Sequence, residues 1–319
     1  MRLSVVSPVY NEENSLRYFY QQLNSELKKI SSSWEVIFVN DGSNDNSSKI
    51  LLEIAHKNKK VKVIEFSRNF GQTAALMAGI EYARGKFIIT IDSDLQNDPK
   101  DIVKLVKKLN QGYAVVSGWR KNRKDNLFLR TIPSKLANIL ISKVTGVKLH
   151  DYGCTLKAYK SNVLKDLKLY GEMHRYIPLY INNYPNSKIT EVPIEHHRRL
   201  YGESKYGVSR VIKVFLDLIL VEFLFKYSQK PIYIFGFFGI LSFLFSIIFF
   251  ILTLYFKFFG GKSFIETPLP LLVVLFFIVG FQSILMGLIS EMLTRTYYES
   301  QQKKIYYVKN LINIKKSEN

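Results

Sequence analysis

The sequence predicts an open, mostly parallel α/β sheet followed by two membrane-spanning helices. Two observations carry this. Short β-rich runs alternate with helical stretches through the first part of the chain, and two long uncharged runs, 231–256 and 268–290, follow. A third sharpens it: polar and acidic motifs fall where the strands end, at Tyr10 to Glu13, Asp41 to Asp45, Arg68 and Asn69, and Asp92 to Asp94.

Runs 3–8, 35–40, 61–66, 87–91 and 114–117 are rich in Val, Ile and Phe and read as strands. Stretches 15–30, 47–56, 73–84 and 99–110 read as helices. Strands alternating with helices argue for a parallel sheet, and such sheets bind ligands beyond the carboxyl ends of their strands. After Gly118 the pattern loosens. Stretch 134–144 is amphipathic, with Leu136, Leu140 and Val144 on one face and Lys135, Asn138 and Ser142 on another. Stretch 208–227 is more apolar, with a narrow stripe of Arg210, Lys213 and Asp217. Both suit a membrane interface. Helix packing or a subunit contact stays open for each, with the interface favoured for the second because an apolar run follows at once. The expected organisation is a soluble domain over 1–207, a juxtamembrane amphipathic helix over 208–230, a two-helix hairpin over 231–293 and a basic tail over 294–319.

A helix needs about 20 apolar residues to cross a bilayer, and lipid tolerates no irregular backbone. Both uncharged runs are long enough, and core helices of soluble proteins seldom run so far without a charge. The net charge of +19 admits nucleic acid, anionic lipid or plain solvated surface as its reason. Position favours lipid. Lys226 and Lys230 precede the first apolar run, and Arg295, Lys303, Lys304, Lys309, Lys315 and Lys316 follow the second. The linker 257–267 holds only two lysines and a glutamate. The positive-inside rule then puts both ends and the soluble domain on the cytoplasmic face, with no need for a nucleic-acid partner. The single cysteine, Cys154, excludes an internal disulfide and a cysteine-cluster metal site. The apolar run 1–8 lacks the length and cleavage site of a signal peptide.

Asp92-Ser-Asp94-Leu-Gln96 follows the apolar run 87–91. Two carboxylates two residues apart at a strand end can reach one divalent cation, and oxygen ligands suit Mg²⁺ or Mn²⁺ together with a substrate's phosphates. The plainer alternative is a turn before a helix that Asp98-Pro99 would cap. Neither a Gly-x-x-x-x-Gly-Lys-Ser/Thr loop nor a Gly-x-Gly-x-x-Gly after the first strand is present, which disfavours P-loop nucleotidases and dinucleotide oxidoreductases.

Taken together, Pro8-Val-Tyr-Asn-Glu-Glu13, Val39-Asn-Asp-Gly-Ser-Asn-Asp45, Ser67-Arg-Asn-Phe-Gly71, Asp92-Ser-Asp-Leu-Gln96 and Tyr201-Gly-Glu-Ser-Lys-Tyr206 resemble the polyprenyl-phosphate glycosyltransferases of the A-type fold. The resemblance implies transfer of a sugar from a UDP- or GDP-linked donor to a polyprenyl phosphate, on a membrane-bound homo-oligomer, with a tetramer as one arrangement. It implies that Pro8, Tyr10, Glu12, Asp41, Asp92 and Ser93 line the nucleotide-sugar pocket. Asp92, Asp94 and Gln96 would hold the metal on the donor diphosphate. Asp94, Asp151 and Arg130 would be catalytic, and Arg120, Arg130, Ser134, Arg199 and Lys205 would meet the acceptor phosphate. Some members carry an acid nearer Thr155 and an arginine where Lys157 stands.

Physical chemistry reduces the need for a base. A phosphate monoester has its second pKa near about 6, so at neutral pH its oxygen can attack directly. Holding two anions together is the harder task, and arginine and lysine serve it. One displacement predicts inversion at the anomeric carbon. His174-Arg175 and His196-His197 read as loop or acceptor-side residues; adjacent side chains on a strand face opposite ways, so the latter pair should not share an ion. Two alternatives remain: a transferase acting on another lipid or glycan, and a non-catalytic membrane scaffold with a transferase-like domain. A processive synthase would need more spans and a Gln-x-x-Arg-Trp segment.

Overall fold

The computed structural model describes residues 2–121, 142, 147–165, 167, 173–182, 184–185, 187–197, 232–300 and 306–314. The expected amphipathic helices over 134–144 and 208–227 lie outside the described residues, apart from Ser142. The chain forms two units, Met1–Leu218 with Lys304–Asn319, and Ile219–Lys303.

The first unit is built on one eight-stranded sheet in the order β7-β5-β6-β4-β1-β2-β3-β8. Strands β1 (Arg2–Val9), β2 (Ser33–Asn40), β3 (Val61–Phe66) and β4 (Phe87–Thr90) are parallel and sit side by side, as the alternating pattern predicts. Between them run α1 (Leu16–Ile30), α2 (Ser47–Lys57) and α3 (Gln72–Tyr82). A 3₁₀ turn, Pro99–Asp101, opens α4 (Ile102–Asn110), with the Asp98 carboxylate accepting from the Lys100 amide as its cap. β5 (Val115–Trp119) then runs past Gly118, two residues beyond the expected strand.

Side chains alternate along each strand and so feed two cores. Val5, Val36, Phe38 and Val63 pack with Leu16, Phe19, Leu23 and Leu27 of α1 and with α2 and α4. The α1 residues recur every three or four positions, one apolar stripe of a 3.6-residue helix. Val6, Ile37, Val39 and Ile64 face the opposite way, onto α3. Helix α3 is buried almost all round, which is why its sequence lacks a polar face.

Three strands escaped the sequence reading. β6 (Lys157–Lys160) is antiparallel to β4 and β5, and β7 (Ile189–Pro193) is parallel to β5. The third, β8 (Val308–Ile312), lies within 294–319 and pairs antiparallel with β3. It covers backbone groups that an edge strand would leave unpaired. Asn310 donates to Glu65 Oε2 at 2.8 Å, and Asn313 donates to the carbonyls of Ala55 and Val61 at 2.7 and 2.8 Å.

The second unit contains α7 (Ile232–Phe258) and α8 (Leu269–Ser300), numbered after the short helices α5 (Ser161–Leu164) and α6 (Ile177–Asn182) of the first. Tyr233–Phe258 and Leu269–Ser290 are each long and apolar enough to cross a membrane. They pack on one another at Gly239 and Gly280, where an added Cβ would lie 3.0 Å from the partner glycine's carbonyl oxygen. Ser246 donates across to the Val273 carbonyl at 2.9 Å, and Phe276 packs against Phe245 and Phe249. The opposite faces carry Phe237, Ile240, Ile247, Leu271 and Phe281 outward. No soluble core is built that way.

Candidate active site

Parallel pairing brings the carboxyl ends of β1 to β4 to one edge of the sheet, and the acidic motifs gather there. Two loops are zipped together first. Asn11, at φ 55°, donates its amide to Ser43 Oγ and accepts from the Asn44 amide. The amides of Glu12 and Glu13 bond Ser47 Oγ at 2.9 Å and Asp45 Oδ2 at 3.1 Å. Pro8 is the penultimate residue of β1, and its carbonyl accepts from Ser93 Oγ at 3.2 Å. Tyr10 follows on this loop, half-buried.

Asp41 is buried at the end of β2, and its carboxylate accepts the amides of Phe70 and Gly71 at 2.7 and 3.0 Å. It therefore fixes the loop entering α3. Gly42 sits at φ 67°, and a Cβ there would lie 2.4 Å from the Arg68 carbonyl carbon. Only glycine fits both the conformation and the approach.

Asp92, half-buried, follows β4. Its Oδ1 accepts from Gln72 Nε2 at 2.8 Å, and the Thr155 side chain is a second hydrogen-bond partner. Burial, then the negative charges of Asp94 and Glu12, push its carboxyl up to about 7. Asp94 Oδ1 accepts the Gln96 amide at 3.1 Å, a local turn that Leu95 at φ 62° permits. The Gln96 carbonyl accepts from the His197 amide at 2.9 Å. Asp92 and Asp94 crowd like charges where an isolated carboxylate resists ionising. A hard divalent cation answers that repulsion, so the donor set fits Mg²⁺ or Mn²⁺.

Asp151 and Arg120 meet each other. Arg120 Nε donates to Oδ2 at 2.6 Å and its Nη2 to Oδ1 at 2.9 Å, a forked pair, with the Gly153 amide at 3.1 Å. Both side chains are largely buried. Along the same segment, Lys157 Nζ donates to the carbonyls of Tyr152 at 2.9 Å and Arg175 at 3.3 Å, and burial lowers its pKa to about 8. Cys154 is buried and its thiol pushed up to about 12, so it packs rather than reacts. His174 is buried 2.7 Å from Thr73 Oγ1 and held neutral by burial. His196 is buried and His197 exposed, so the adjacent pair does face different surroundings. On the surface, ligand atoms of Asp98, Glu195 and His197 lie within 4.8 Å of one another, with Asp98 occupied as a cap. Arg130, Ser134, Arg199 and Lys205 lie outside the described residues.

Sequence reading missed Gln72 and Thr155, the two side chains that hold Asp92. Gln72 directly follows the Ser67–Gly71 motif and Thr155 stands between Asp151 and Lys157, and that adjacency was the available signal.

The description of glycosyl transferase family 2 matches residues 4–168. The chain belongs to this family. It is 41% identical over 319 residues to the dodecaprenyl-phosphate galacturonate synthase of Rhizobium johnstonii, covering 98% of this chain and 94% of that one. It is 35% identical over 315 residues to the undecaprenyl-phosphate 4-deoxy-4-formamido-L-arabinose transferase of Edwardsiella ictaluri, covering 97% and 94%. Among solved structures, glucosyl-3-phosphoglycerate synthase from Mycobacterium tuberculosis, in complex with Mn²⁺, UDP and phosphoglyceric acid, superposes with a TM-score of 0.50 at 18% identity. That match covers 68% of this chain and 78% of the other, and it carries the fold: the mostly parallel mixed sheet is that of the A-type glycosyltransferases.

Proposed function

We propose that this chain transfers a sugar from a nucleoside diphosphate sugar to a polyprenyl phosphate at the cytoplasmic face of a membrane. The observation that carries the reading is the Asp92–Asp94 pair, gathered at the strand ends with burial, Asp94 and Glu12 raising the Asp92 carboxyl. Relatives named for undecaprenyl and dodecaprenyl phosphate, matched over nearly their full length, support the acceptor class.

In this reading Pro8, Tyr10, Glu12, Asp41 and Ser93 border the nucleotide pocket. Asp92 and Asp94, with Gln96 beside them, would hold Mg²⁺ or Mn²⁺. Once bound, the ion supplies Lewis-acid stabilisation to the departing diphosphate. The acceptor's ionised phosphate oxygen forms its bond to C1 as the bond from C1 to the diphosphate breaks, inverting that carbon. No base is required. Asp151, gripped at both oxygens by Arg120, acts as the partner that fixes Arg120, with Arg130, Ser134, Arg199 and Lys205 as further acceptor-phosphate candidates. Sheet connectivity supports the membrane arrangement. β8 follows both apolar helices yet pairs with β3, which precedes them, so a chain crossing twice returns to the side it left. The basic flanks put that side in the cytoplasm. A homo-oligomer, a tetramer in its specific form, belongs to the same reading.

The test uses the full chain in membranes with undecaprenyl phosphate and radiolabelled UDP- and GDP-sugars, galacturonate and formamido-arabinose donors among them. The expected result is a lipid-linked sugar of inverted configuration that requires divalent metal. Product with retained configuration would overturn the single displacement. No product with any donor, alongside transfer to a different lipid, would overturn the acceptor.

A further inference from the structure

The last described strand touches the donor site through a chain of contacts. β8 is preceded by Tyr306 and Tyr307. Tyr306 is buried and stacks on Phe66 with ring centroids 5.0 Å apart, and its hydroxyl donates to Glu81 of α3. Phe66 meets Phe70 edge-on at 5.6 Å, and Phe70 meets the Tyr307 ring at 6.0 Å. The Tyr307 carbonyl accepts the Ser67 amide at 3.1 Å. Loop 67–71 is thus gripped from outside by the two tyrosines and from inside by Asp41. The next residue is Gln72, whose amide holds Asp92.

We propose that Tyr306 and Tyr307, which follow the second apolar helix, are positioning residues of the donor site: they clamp loop 67–71 and so aim Gln72 at Asp92. This rests on the donor-site reading above and adds a part that lies far away in sequence. Aromatic pairs contribute stabilisation beyond their burial. Outer groups that orient a metal ligand typically change metal affinity about 10–100-fold when removed. An aromatic clamp is therefore strong enough to set the loop, and the loop close enough to set the ligand.

The experiment measures Mn²⁺ binding in the presence of UDP, from the free-ion paramagnetic resonance signal, on the full chain in lipid nanodiscs. No acceptor lipid is added. Tyr306→Ala is expected to weaken Mn²⁺–UDP binding about tenfold. Gln72→Ala should do the same, and the double variant should be little worse than either. Tyr306→Phe, which keeps the ring, should bind as the unaltered chain does. Should Tyr306→Ala not fold, Tyr307→Ala decides. Its side chain is 71% exposed, and a smaller loss of affinity is expected. Variants that melt earlier but bind Mn²⁺–UDP normally would overturn the clamp alone. Fully additive losses in the double variant would overturn it too. An unaltered chain that binds no Mn²⁺–UDP overturns the donor-site reading and the clamp with it.

Discussion

The sheet unit and the helical hairpin spend their apolar residues in opposite ways. In the sheet unit Val5, Phe19, Phe38 and Ile64 are sealed inside, and the acidic motifs gather at the carboxyl ends of the parallel strands. In the hairpin Phe237, Ile240, Leu271 and Phe281 point outward, while the inner seam is glycine, serine and ring edges. Both fit one rule, that apolar surface avoids water, with outward apolar faces of this length suited to a bilayer. In water the core supplies the driving force. Between helices in lipid that force is absent, and close backbone approach with a few hydrogen bonds replaces it. A substitution should therefore be felt in different observables in the two units.

The widest separation is expected at the acidic pair. Asp92→Asn and Asp94→Asn should each lower sugar transfer at least about a hundredfold, since a bound metal supplies several kcal/mol of transition-state charge stabilisation. Membrane insertion should be untouched, checked by alkaline extraction of membranes. Loss of insertion in either variant would break the division of labour. Next comes the buried Arg120–Asp151 pair. Asp151→Ala removes both carboxylate oxygens from the largely buried Arg120 guanidinium, and should cost about 3–5 kcal/mol of stability in the sheet unit, read as the denaturant midpoint. A fall in activity with no fall in stability would instead make Asp151 a participant in the chemistry.

The hairpin should answer more quietly. Gly239→Leu pushes a side chain into the Gly280 backbone and should cost about 1–3 kcal/mol, read by steric trapping in bilayers, with Mn²⁺–UDP binding by the sheet unit unchanged. The smallest effect is one of pH. Asp92 has its pKa raised from 3.8 to about 7, so in the folded, metal-free chain it stays protonated to higher pH than when unfolded. Its ionisation disfavours the metal-free fold as pH rises through that window. The ion needs the carboxylate, so Mn²⁺ affinity should rise up to about tenfold per pH unit below 7 and level off above. Calorimetry across pH 5.5 to 8.5, or about that range, checks the sign; affinity independent of pH would remove Asp92 from the ligands.

Much of this division was legible in the sequence, for reasons that differ by element. β1 to β4 announce themselves as short runs rich in apolar residues and α1, α2 and α4 by an apolar stripe at helical spacing, whereas α3, buried almost all round, shows only as an apolar stretch. The two apolar helices are legible by length alone. β6 is not, because its sequence begins and ends in lysine, and only the fold supplies carbonyls that receive Lys157. β8 hides in a basic stretch, since an edge strand needs few apolar residues. The acidic pair was visible as a motif at a strand end. Its support from Gln72 was not, because that residue opens an apolar helix, and neither was the Arg120–Asp151 fork, which joins residues that no periodicity links. Pairing of that kind is settled by tertiary structure, which is why Asp151 reads from sequence as a free acid.

The placement of β8 also bears on how the protein is made. Strand β3 leaves the ribosome early, with Val61, Val63, Ile64 and Phe66 all buried in the finished sheet. Its partner is synthesised only after both apolar helices. Until then the nascent sheet presents a bare apolar edge, the kind that invites pairing with another chain. Synthesis of both apolar helices thus precedes completion of the sheet, and a chain stalled before Val308 would be the one most exposed to aggregation.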